Sequence, residues 1–564
     1  MADLLYPAKS TPDVLPLPAI PRHLTLAHFI FDHCHSHTTT HEERPYLIEE
    51  KSGRMIVIEE LRSRTLALAS ALRSEYGIEE DDVVLISSPN HVDYPVLVWA
   101  THLLGAVVTL SNPNFTVEEL SFHIRLTKPT LIIAHSSALE TAQLCAERST
   151  GLGLDRVIAL ERTSNGILSV ADLILTQNMV TTETSFQGIQ PREGLGDKVA
   201  ALCLSSGTTG LPKVVRITHR SFIANIIQMA IHTRTGITVP GLRTGDVALG
   251  VLPFFHAAGL VINLHFLLYS GLSIVVVERY NFLEMLNLIS RFRITTLILV
   301  PPQAVSLCKH PATNTQALRT VRYVIVGAAP VPKELQHSLH GVFPRAQIGQ
   351  AYGSTEATCT VAMISPQRGP PGSAGKILPG VETRVYRSDG SLARQGERGE
   401  LYVKSPSVAL GYLNNDVANR ETFREGGWVR TGDQVSITSD GDVFVHDRTN
   451  DFIKVKGFQV APAELEGCLL DHPDVADVCV LGMPDPYCGE VPRAFVVLSP
   501  STVSRSPHPD SVRNSIIEYL GNRKSSYKHL RGGVEFVSSI PKTSSGKILR
   551  RVIRDEVVRR SAKL

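Results

Sequence analysis

The run Ser205-Ser206-Gly207-Thr208-Thr209-Gly210-Leu211-Pro212-Lys213 gathers four hydroxyls, two glycines and a lysine within nine residues. Glycines let backbone N–H groups close on an anion, hydroxyls add further donors, and the lysine supplies fixed positive charge. That combination has the chemistry of a cradle for phosphate oxygens. The G-x-x-x-x-G-K-[ST] spacing of a Walker A loop is not met. The run follows an apolar strand predicted over residues 199–204 and precedes a helix predicted to begin near Ser221.

The elements that must position such a loop are legible in the hydrophobic pattern. Apolar runs at 82–87, 107–110, 130–134, 156–160, 199–204, 296–299 and 322–326 read as buried strands, and amphipathic stretches such as 92–104 and 117–126 read as helices. Thr116 is the expected N-cap of the second of these helices, with Glu118 and Glu119 in its first turn. Strand–helix alternation of this kind implies parallel sheets covered by helices. After Gly375 the texture changes to short strands with Gly and Asp turns, at 399–404 and 441–446, and from Asp451 to a small α+β unit. The Ser/Pro-rich stretch 499–509 reads as a surface loop. No sequence repeat is present.

With 564 residues, 43% of them hydrophobic and 20% charged, the chain has enough apolar mass for a large core. Its 56 basic and 54 acidic residues leave a net charge of +2, which argues against a dedicated nucleic-acid binder or a polybasic membrane-surface protein. Eight dispersed cysteines without a C-x-x-C pair suggest free thiols in a reducing compartment. The cluster His33-Cys34-His35-Ser36-His37 lacks a second ligand pair and reads as an incidental polar stretch. Residues 247–277 carry no charged side chain, yet internal glycines, a proline and polar residues break them up. They read as a strand, a loop, a buried helix near 259–269 and a strand at 273–277, with no membrane span. The N-terminus has neither a basic nor a long apolar segment, so no secretory signal is expected.

Four further segments follow the loop in order. They are Gln350-Ala351-Tyr352-Gly353-Ser354-Thr355-Glu356, Thr431-Gly432-Asp433, Asp447-Arg448 with Ile453-Lys454-Val455-Lys456-Gly457-Phe458-Gln459-Val460, and Pro541-Lys542-Thr543-Ser544-Ser545-Gly546-Lys547. Together with the loop they resemble the signature of the adenylate-forming enzymes, which comprise acyl- and aryl-CoA ligases, peptide-synthetase adenylation domains and beetle luciferases. The resemblance covers roughly residues 25 to 555. Within that superfamily, Leu252-Pro253-Phe254-Phe255-His256 and the segment 457–466 look like 4-coumarate-CoA-ligase-type enzymes.

The resemblance implies an α/β fold in two parts. Residues 1–449 would form a large N-terminal lobe of helix-covered, mostly parallel sheets plus a β-rich subdomain. Residues 450–564 would form a small mobile C-terminal α+β lobe. It implies an acid–CoA ligase that uses ATP and Mg²⁺ to make an acyl-adenylate and then hands the acyl group to CoA. Ser205, Ser206, Gly207, Thr208, Thr209, Gly210 and Lys213 would hold the β- and γ-phosphates, with Gln350 and Tyr352 beside the nucleotide. Thr355 would bond the α-phosphate, Glu356 would hold Mg²⁺, and Asp433, assisted by Arg448, would take the ribose hydroxyls. Lys547 would bridge substrate carboxylate and α-phosphate. For the thioester step the small lobe would rotate about a hinge after Asp447-Arg448. That motion would present Lys454, Lys456, Gly457 and Gln459, and Arg279 would meet the nucleotide end of CoA.

By the same resemblance the acyl pocket would be lined by His256, Ala257, Ala258, Gly259, Gln303, Ile325, Gly327, Ala351, Gly353, Cys359 and Thr360. Ala258 replaces a common aromatic and Ile325 a common lysine, which favours an apolar aryl-alkanoic or aliphatic acyl tail. His256 either gates this pocket or is a satisfied core histidine. Departures from the family pattern are Val214 after the signature lysine, Asn450 at the hinge and Ala351 on the pocket floor. The ending Ala562-Lys563-Leu564 resembles the Ser-Lys-Leu peroxisomal address, which implies a peroxisomal import receptor as partner and the matrix as location. The motif dialect and this ending are similar to fungal peroxisomal ligases of specialised metabolism. A luciferase-like oxygenase and a stand-alone adenylation enzyme loading a carrier protein are the alternatives.

Overall fold

The computed structural model describes residues 6–7, 16–33, 44–149, 151–164, 166–180, 186, 188–205, 212–234, 242–328, 331, 333–364, 369–448, 452–505, 508–541, 548 and 550–561. The chain divides into two compact units. The larger comprises Met1–Pro113, Leu120–Leu204 and Val214–Arg448, and the smaller comprises Asn114–Glu119, Ser205–Lys213 and Thr449–Leu564.

Two mixed, largely parallel sheets dominate the larger unit. One has seven strands in the order Gly411–Tyr412, Lys213–Thr218, Val199–Ser205, Val107–Ser111, Val83–Ser87, Leu131–Ala134 and Val157–Ala159. The other has nine, in the order Lys376–Ile377, Ala362–Met363, Gln347–Tyr352, Tyr323–Val326, Thr296–Leu299, Val247–Gly250, Ser273–Val276, Leu47–Glu49 and Met55–Ile56. Their central strands are β-branched and buried on both faces, as parallel strands require. In Tyr323–Val326, Val324 and Val326 face a core built with the helices Phe282–Arg291, Pro301–Lys309 and Lys333–Val342, while Tyr323 and Ile325 face the main core. The β-rich module is an antiparallel sheet of Glu382–Tyr386, Gly399–Lys404, Trp428–Ile437 and Val443–Arg448 with two short flanking strands. The smaller unit pairs Val475–Asp485 with Gly489–Leu498 in a long hairpin covered by Pro462–Leu470 and Pro509–Gly521.

The uncharged stretch resolves as anticipated into the strand Val247–Gly250, a buried π-helix Ala258–Phe266 continuing as Leu267–Tyr269, and the strand Ser273–Val276. Among the described residues no helix is long and apolar enough to cross a membrane. Gly259 makes the chain's reversal here possible, since a Cβ at that position would lie 1.9 Å from the Pro253 carbonyl oxygen. Thr116 caps the helix as expected, and with Glu119 it forms a capping box: Glu119 N donates to Thr116 Oγ1 at 3.3 Å, and Thr116 N to Glu119 Oε2 at 2.9 Å.

The helix expected near Ser221 begins at His219, and the strand Lys213–Thr218, which the sequence reading did not single out, precedes it. The hydroxyl-rich run therefore joins two neighbouring strands of the seven-stranded sheet. The Ser/Pro-rich stretch is not all loop: Pro500–Arg505 is a short helix, anchored where Thr502 Oγ1 and Arg505 Nη2 each bond Asp474 Oδ1 at 2.5 Å. The seven described cysteines are all free thiols. Cys34, His35, Ser36 and His37 lie outside the described residues.

Several histidines are buried in neutral form. His265 donates from Nδ1 to the Leu260 carbonyl at 2.8 Å and accepts Trp99 Nε1–H at 3.0 Å, which fixes its tautomer. His123 meets Thr109 Oγ1 at 2.8 Å, His102 meets the Ala200 carbonyl at 3.1 Å, and Leu26 N donates to His219 Nδ1 at 3.1 Å. Burial pushes His102 and His123 down to about 3, and His232 and His265 to about 4. An unfolded chain holds these groups near 6.5, so below that pH it binds more protons than the native state. Their stabilisation is complete above about pH 6.5 and is lost as pH falls toward 4, each group contributing up to about 1.4 kcal/mol per pH unit. Thermal unfolding should therefore show a midpoint that drops steeply between pH 6.5 and 5. A flat profile there would contradict the neutral burial.

Candidate functional site

The strand Gln347–Tyr352 carries one motif to the carboxyl edge of the nine-stranded sheet, where parallel strands commonly present ligand-binding loops. Beyond Tyr352 the chain turns through the 3-10 helix Thr355–Ala357 and returns as Ala362–Met363, antiparallel to Ala351 and Tyr352. The reversal depends on Gly353, because a Cβ there would sit 1.6 Å from the Cys359 carbonyl oxygen. Thr358, at φ +69°, completes the turn, and its hydroxyl donates to the Ser407 carbonyl. Ala409 N also donates to the Glu356 carbonyl at 3.0 Å, so the β-rich module holds the turn from outside.

Three predicted residues meet around this turn. Tyr352 donates its hydroxyl to Asp433 Oδ2 at 2.7 Å, joining strands 81 positions apart in sequence. Asp433 is 1% exposed, too buried for a solvated turn residue. Thr431 braces it by accepting Asp433 N–H at 3.1 Å and donating to the Leu401 carbonyl at 2.9 Å, while Gly432 takes the left-handed φ of +73° that the bend needs. Across the ladder Asp433 stands opposite Arg448. Glu356 accepts the Tyr412 hydroxyl at Oε1, 2.9 Å away. Burial, reinforced by the Glu356 charge, pushes the Tyr412 phenol well above its ordinary range, so it stays a donor. Tyr412 escaped the sequence reading because it lies in a two-residue strand with no periodicity to betray it.

The predicted pocket residues come from three neighbouring strand ends. Ile325 is buried within Tyr323–Val326, Gly327 follows it, and Ala351 and Gly353 lie beside them. Cys359 is buried, its thiol pushed up to about 12. Thr360 is pinned by Asn225, whose side chain accepts Thr360 N–H at 3.0 Å and donates to its carbonyl at 2.8 Å. His256 precedes the π-helix beside Ala257 and Ala258, and burial lowers it to about 4. It is therefore neutral at physiological pH. Two amides have local duties. Gln303 Oε1 accepts Val300 N–H at 3.0 Å and caps its own helix, and Gln350 brackets the Val331 backbone at 3.3 and 3.5 Å.

In the smaller unit Lys454 and Gln459 are direct cross-strand neighbours on the face opposite Ile453 and Val455, which enter the core. Between the strands Lys456 at φ +51° and Gly457 at φ +89° both lie in the left-handed region, as a two-residue type I′ hairpin requires. Arg279 is exposed after Ser273–Val276 and contributes to lowering the charge affinity of His135, whose pKa falls mainly through burial. Ser205 is half-buried and Lys213 buried. Ser206, Gly207, Thr208, Thr209, Gly210 and Lys547 lie outside the described residues, as does the side chain of Arg448. Among the described residues no group of three or more His, Cys, Asp or Glu could hold a metal ion. A lone carboxylate such as Glu356 still suits Mg²⁺, which takes oxygen ligands and is bound through one or two carboxylates plus substrate phosphates and water.

The family model described as AMP-binding enzyme matches residues 34–413, and that of the AMP-binding enzyme C-terminal domain matches 464–547. The chain belongs to the AMP-binding enzyme family. It is 34% identical to 4-coumarate–CoA ligase 3 of Arabidopsis thaliana over 98% of its own length and 95% of the relative's. To 4-coumarate–CoA ligase 2 of Oryza sativa subsp. japonica it is 34% identical, over 95% and 93%. Among solved structures, the amide bond synthetase McbA from Marinactinospora thermotolerans shares the fold with a TM-score of 0.78, 25% identity and coverage of 94% and 99%. A double mutant of o-succinylbenzoate CoA synthetase from Bacillus subtilis, bound to a product analogue, matches with a TM-score of 0.78, 26% identity and coverage of 93% and 98%. These neighbours bear out the two-part α/β architecture of adenylate-forming enzymes.

Since the Cys359 carbonyl occupies the space a methyl group would need, Gly353→Ala must displace the turn carrying Thr355 and Glu356. Overpacking of this kind costs about 1–3 kcal/mol. The variant of this AMP-binding enzyme should melt several degrees lower and lose most of the thermal stabilisation that ATP confers on the parent protein. A parent-like melting temperature with an unchanged ATP shift would refute the role of the glycine.

Proposed function

We propose that this AMP-binding enzyme is an AMP-forming acid–CoA ligase acting on an aryl-alkanoic or fatty acid. The observation that carries the reading is the Tyr352–Asp433 hydrogen bond, which ties the end of the strand Gln347–Tyr352, just before the turn bearing Thr355 and Glu356, to the Thr431-Gly432-Asp433 segment of the β-rich module. Similarity to the two 4-coumarate–CoA ligases over nearly the whole chain supports it.

A carboxylate is a poor acyl donor because oxide is a hopeless leaving group, so the acid is first joined to AMP. Carboxylate and triphosphate are both anions, and their approach requires preorganised positive charge and donors. Lys213 and Lys547 supply that charge, and the Thr355 hydroxyl donates to the α-phosphate. The Asp433 carboxylate accepts the ribose hydroxyls, with Arg448 beside it. Glu356 would hold Mg²⁺, which when bound spreads the phosphate charge. In the second half-reaction the CoA thiol attacks the acyl carbon and AMP departs with the electron pair. Lys454, Lys456, Gly457 and Gln459 serve this step, and Arg279 meets the nucleotide end of CoA. Ile325, Ala257 and Ala258 give the acyl site an apolar wall, and neutral His256 adds none of the cationic charge that would hold a second carboxylate.

Because an amide bond synthetase shares the fold, the acceptor must be established directly. Purified enzyme offered aryl-acetic, cinnamic and medium- to long-chain acids with ATP and Mg²⁺ should release AMP at a rate that rises at least tenfold when CoA is added. Release that ignores CoA, or light emission with oxygen, would overturn the ligase reading. Lys547→Ala should abolish adenylation, by about 10²-fold or more as for a lost transition-state donor. Thioester formation from supplied acyl-adenylate should be largely retained, and equal loss of both half-reactions would contradict the assignment.

The peroxisomal matrix is the proposed location, with specialised metabolism as the setting. The address Ala562-Lys563-Leu564 lies outside the described residues and follows the basic end of the helix Arg550–Ser561. Deleting the last three residues of an N-terminally tagged copy should leave it diffuse in the cytosol. Unchanged punctate import would refute the address.

A further inference from the structure

A cavity lies at the edge of the nine-stranded sheet opposite the candidate site, where the strands begin. It has a volume of about 370 Å³ and is lined by Arg293, Thr295, Arg319, Thr320, Arg322 and Arg345. These residues come from the segments entering three adjacent parallel strands, Thr296–Leu299, Tyr323–Val326 and Gln347–Tyr352. Arg322 N donates to the Thr295 carbonyl and Gln347 N to the Arg322 carbonyl, each at 2.8 Å, so the backbone sets the segments side by side. The threonines hold the frame: Thr320 Oγ1 donates to the Ile294 carbonyl at 2.9 Å and Thr295 Oγ1 to the Val247 carbonyl at 3.1 Å.

The charge is lopsided. Arg322 is paired with Asp246 at 2.5 Å. Arg293, Arg319 and Arg345 make no side-chain hydrogen bond or ion pair among the described residues. Three unpaired guanidinium groups around one hollow repel one another, by about 0.5–1 kcal/mol per pair at several ångströms in water, and a bound anion would relieve that repulsion. Arg293 also occupies the left-handed region, at φ +52°, just beyond the helix Phe282–Arg291, a position that ordinarily favours Gly or Asn. Guanidinium forks match phosphoryl oxygens in bidentate fashion, whereas a carboxylic acid offers only one charge to three cations.

We propose that this arginine-lined cavity binds a small anion carrying two or more phosphoryl groups, remote from the site that holds the nucleotide. Its position at the amino ends of strands whose carboxyl ends bear Gly327, Tyr352 and Gly353 separates it from the catalytic edge by the length of the strands. It does not depend on the identity of the acid or of the acyl acceptor.

Inorganic pyrophosphate is the probe, titrated calorimetrically into the full-length protein in EDTA, with inorganic phosphate as the single-phosphoryl comparison. Arg319→Glu/Arg345→Glu alters two exposed side chains outside the catalytic machinery, and its intact fold is verified by an unchanged melting temperature. Arg319→Ala and Arg345→Ala stand in if the double variant melts early. Lys213→Ala serves to separate any binding at the phosphate loop. The expected result is pyrophosphate binding that survives Lys213→Ala, weakens at least tenfold in the glutamate variant (threefold or more in each alanine variant), falls with added salt and exceeds phosphate binding. Arg319→Lys/Arg345→Lys should bind with intermediate affinity, because charge remains while the fork is lost. Identical isotherms for parent and arginine variants, or binding abolished by Lys213→Ala alone, would overturn the proposal.

Discussion

The Cys359 carbonyl lies so close to Gly353 that no side chain could stand between them, and this contact fixes the turn around which the candidate site residues Tyr352, Thr355 and Glu356 gather. The tight return lets Ala362–Met363 pair with the strand it has just left. It places Thr355 and Glu356 at the sheet's carboxyl edge rather than on a mobile excursion. Tyr352, immediately before the glycine, then reaches Asp433 of the β-rich module. A carboxylate as buried as Asp433 is costly unless hydrogen-bonded, so the Tyr352 hydroxyl is a condition for its being there, while Thr431 holds its backbone N–H. The chemistry thus rests on packing first and on charge second.

The same logic extends through the larger unit. Side chains alternate between two cores along Tyr323–Val326, and the residues that emerge at its end, Ile325 and Gly327, inherit their positions from that alternation. The Trp99–His265 hydrogen bond joins the wholly buried helix Tyr94–Leu103 to the π-helix that begins at Ala258. A polar network inside an apolar core is costly when incomplete and specifying when satisfied. Neutral histidines therefore act here as core residues with orientation. His256, just before the π-helix, shares their burial and their depressed proton affinity.

Much of this was legible in the sequence because buried parallel strands are near-continuous β-branched runs, and the strand bounds differ from expectation by a residue or two. The strand Lys213–Thr218 was not singled out, although its Val and Ile residues are β-formers, because it is short and begins on the lysine that closes the hydroxyl-rich run. Pro500–Arg505 was hidden by composition: proline in a first turn and the Thr502 and Arg505 bonds to Asp474 stabilise a helix that Ser and Pro content alone argues against. Motif residues such as Glu356 and Asp433 were singled out by the resemblance of their segments to the family signature. Their partners Tyr352 and Tyr412 act across 81 and 56 positions, and no local pattern encodes such pairings. Gly457 shows the converse. A hairpin with two left-handed residues already favours a glycine there, so its presence alone does not identify a functional residue.

The central claim is that this fold joins an organic acid to AMP before any acceptor takes part. Exchange of isotope-labelled pyrophosphate into ATP measures that step alone. With Mg²⁺ and the right acid present and CoA absent, label should enter ATP at a rate that depends on the acid and vanishes in Lys547→Ala. Label failing to enter ATP with every acid offered, from a protein that remains folded and binds ATP, would contradict the account.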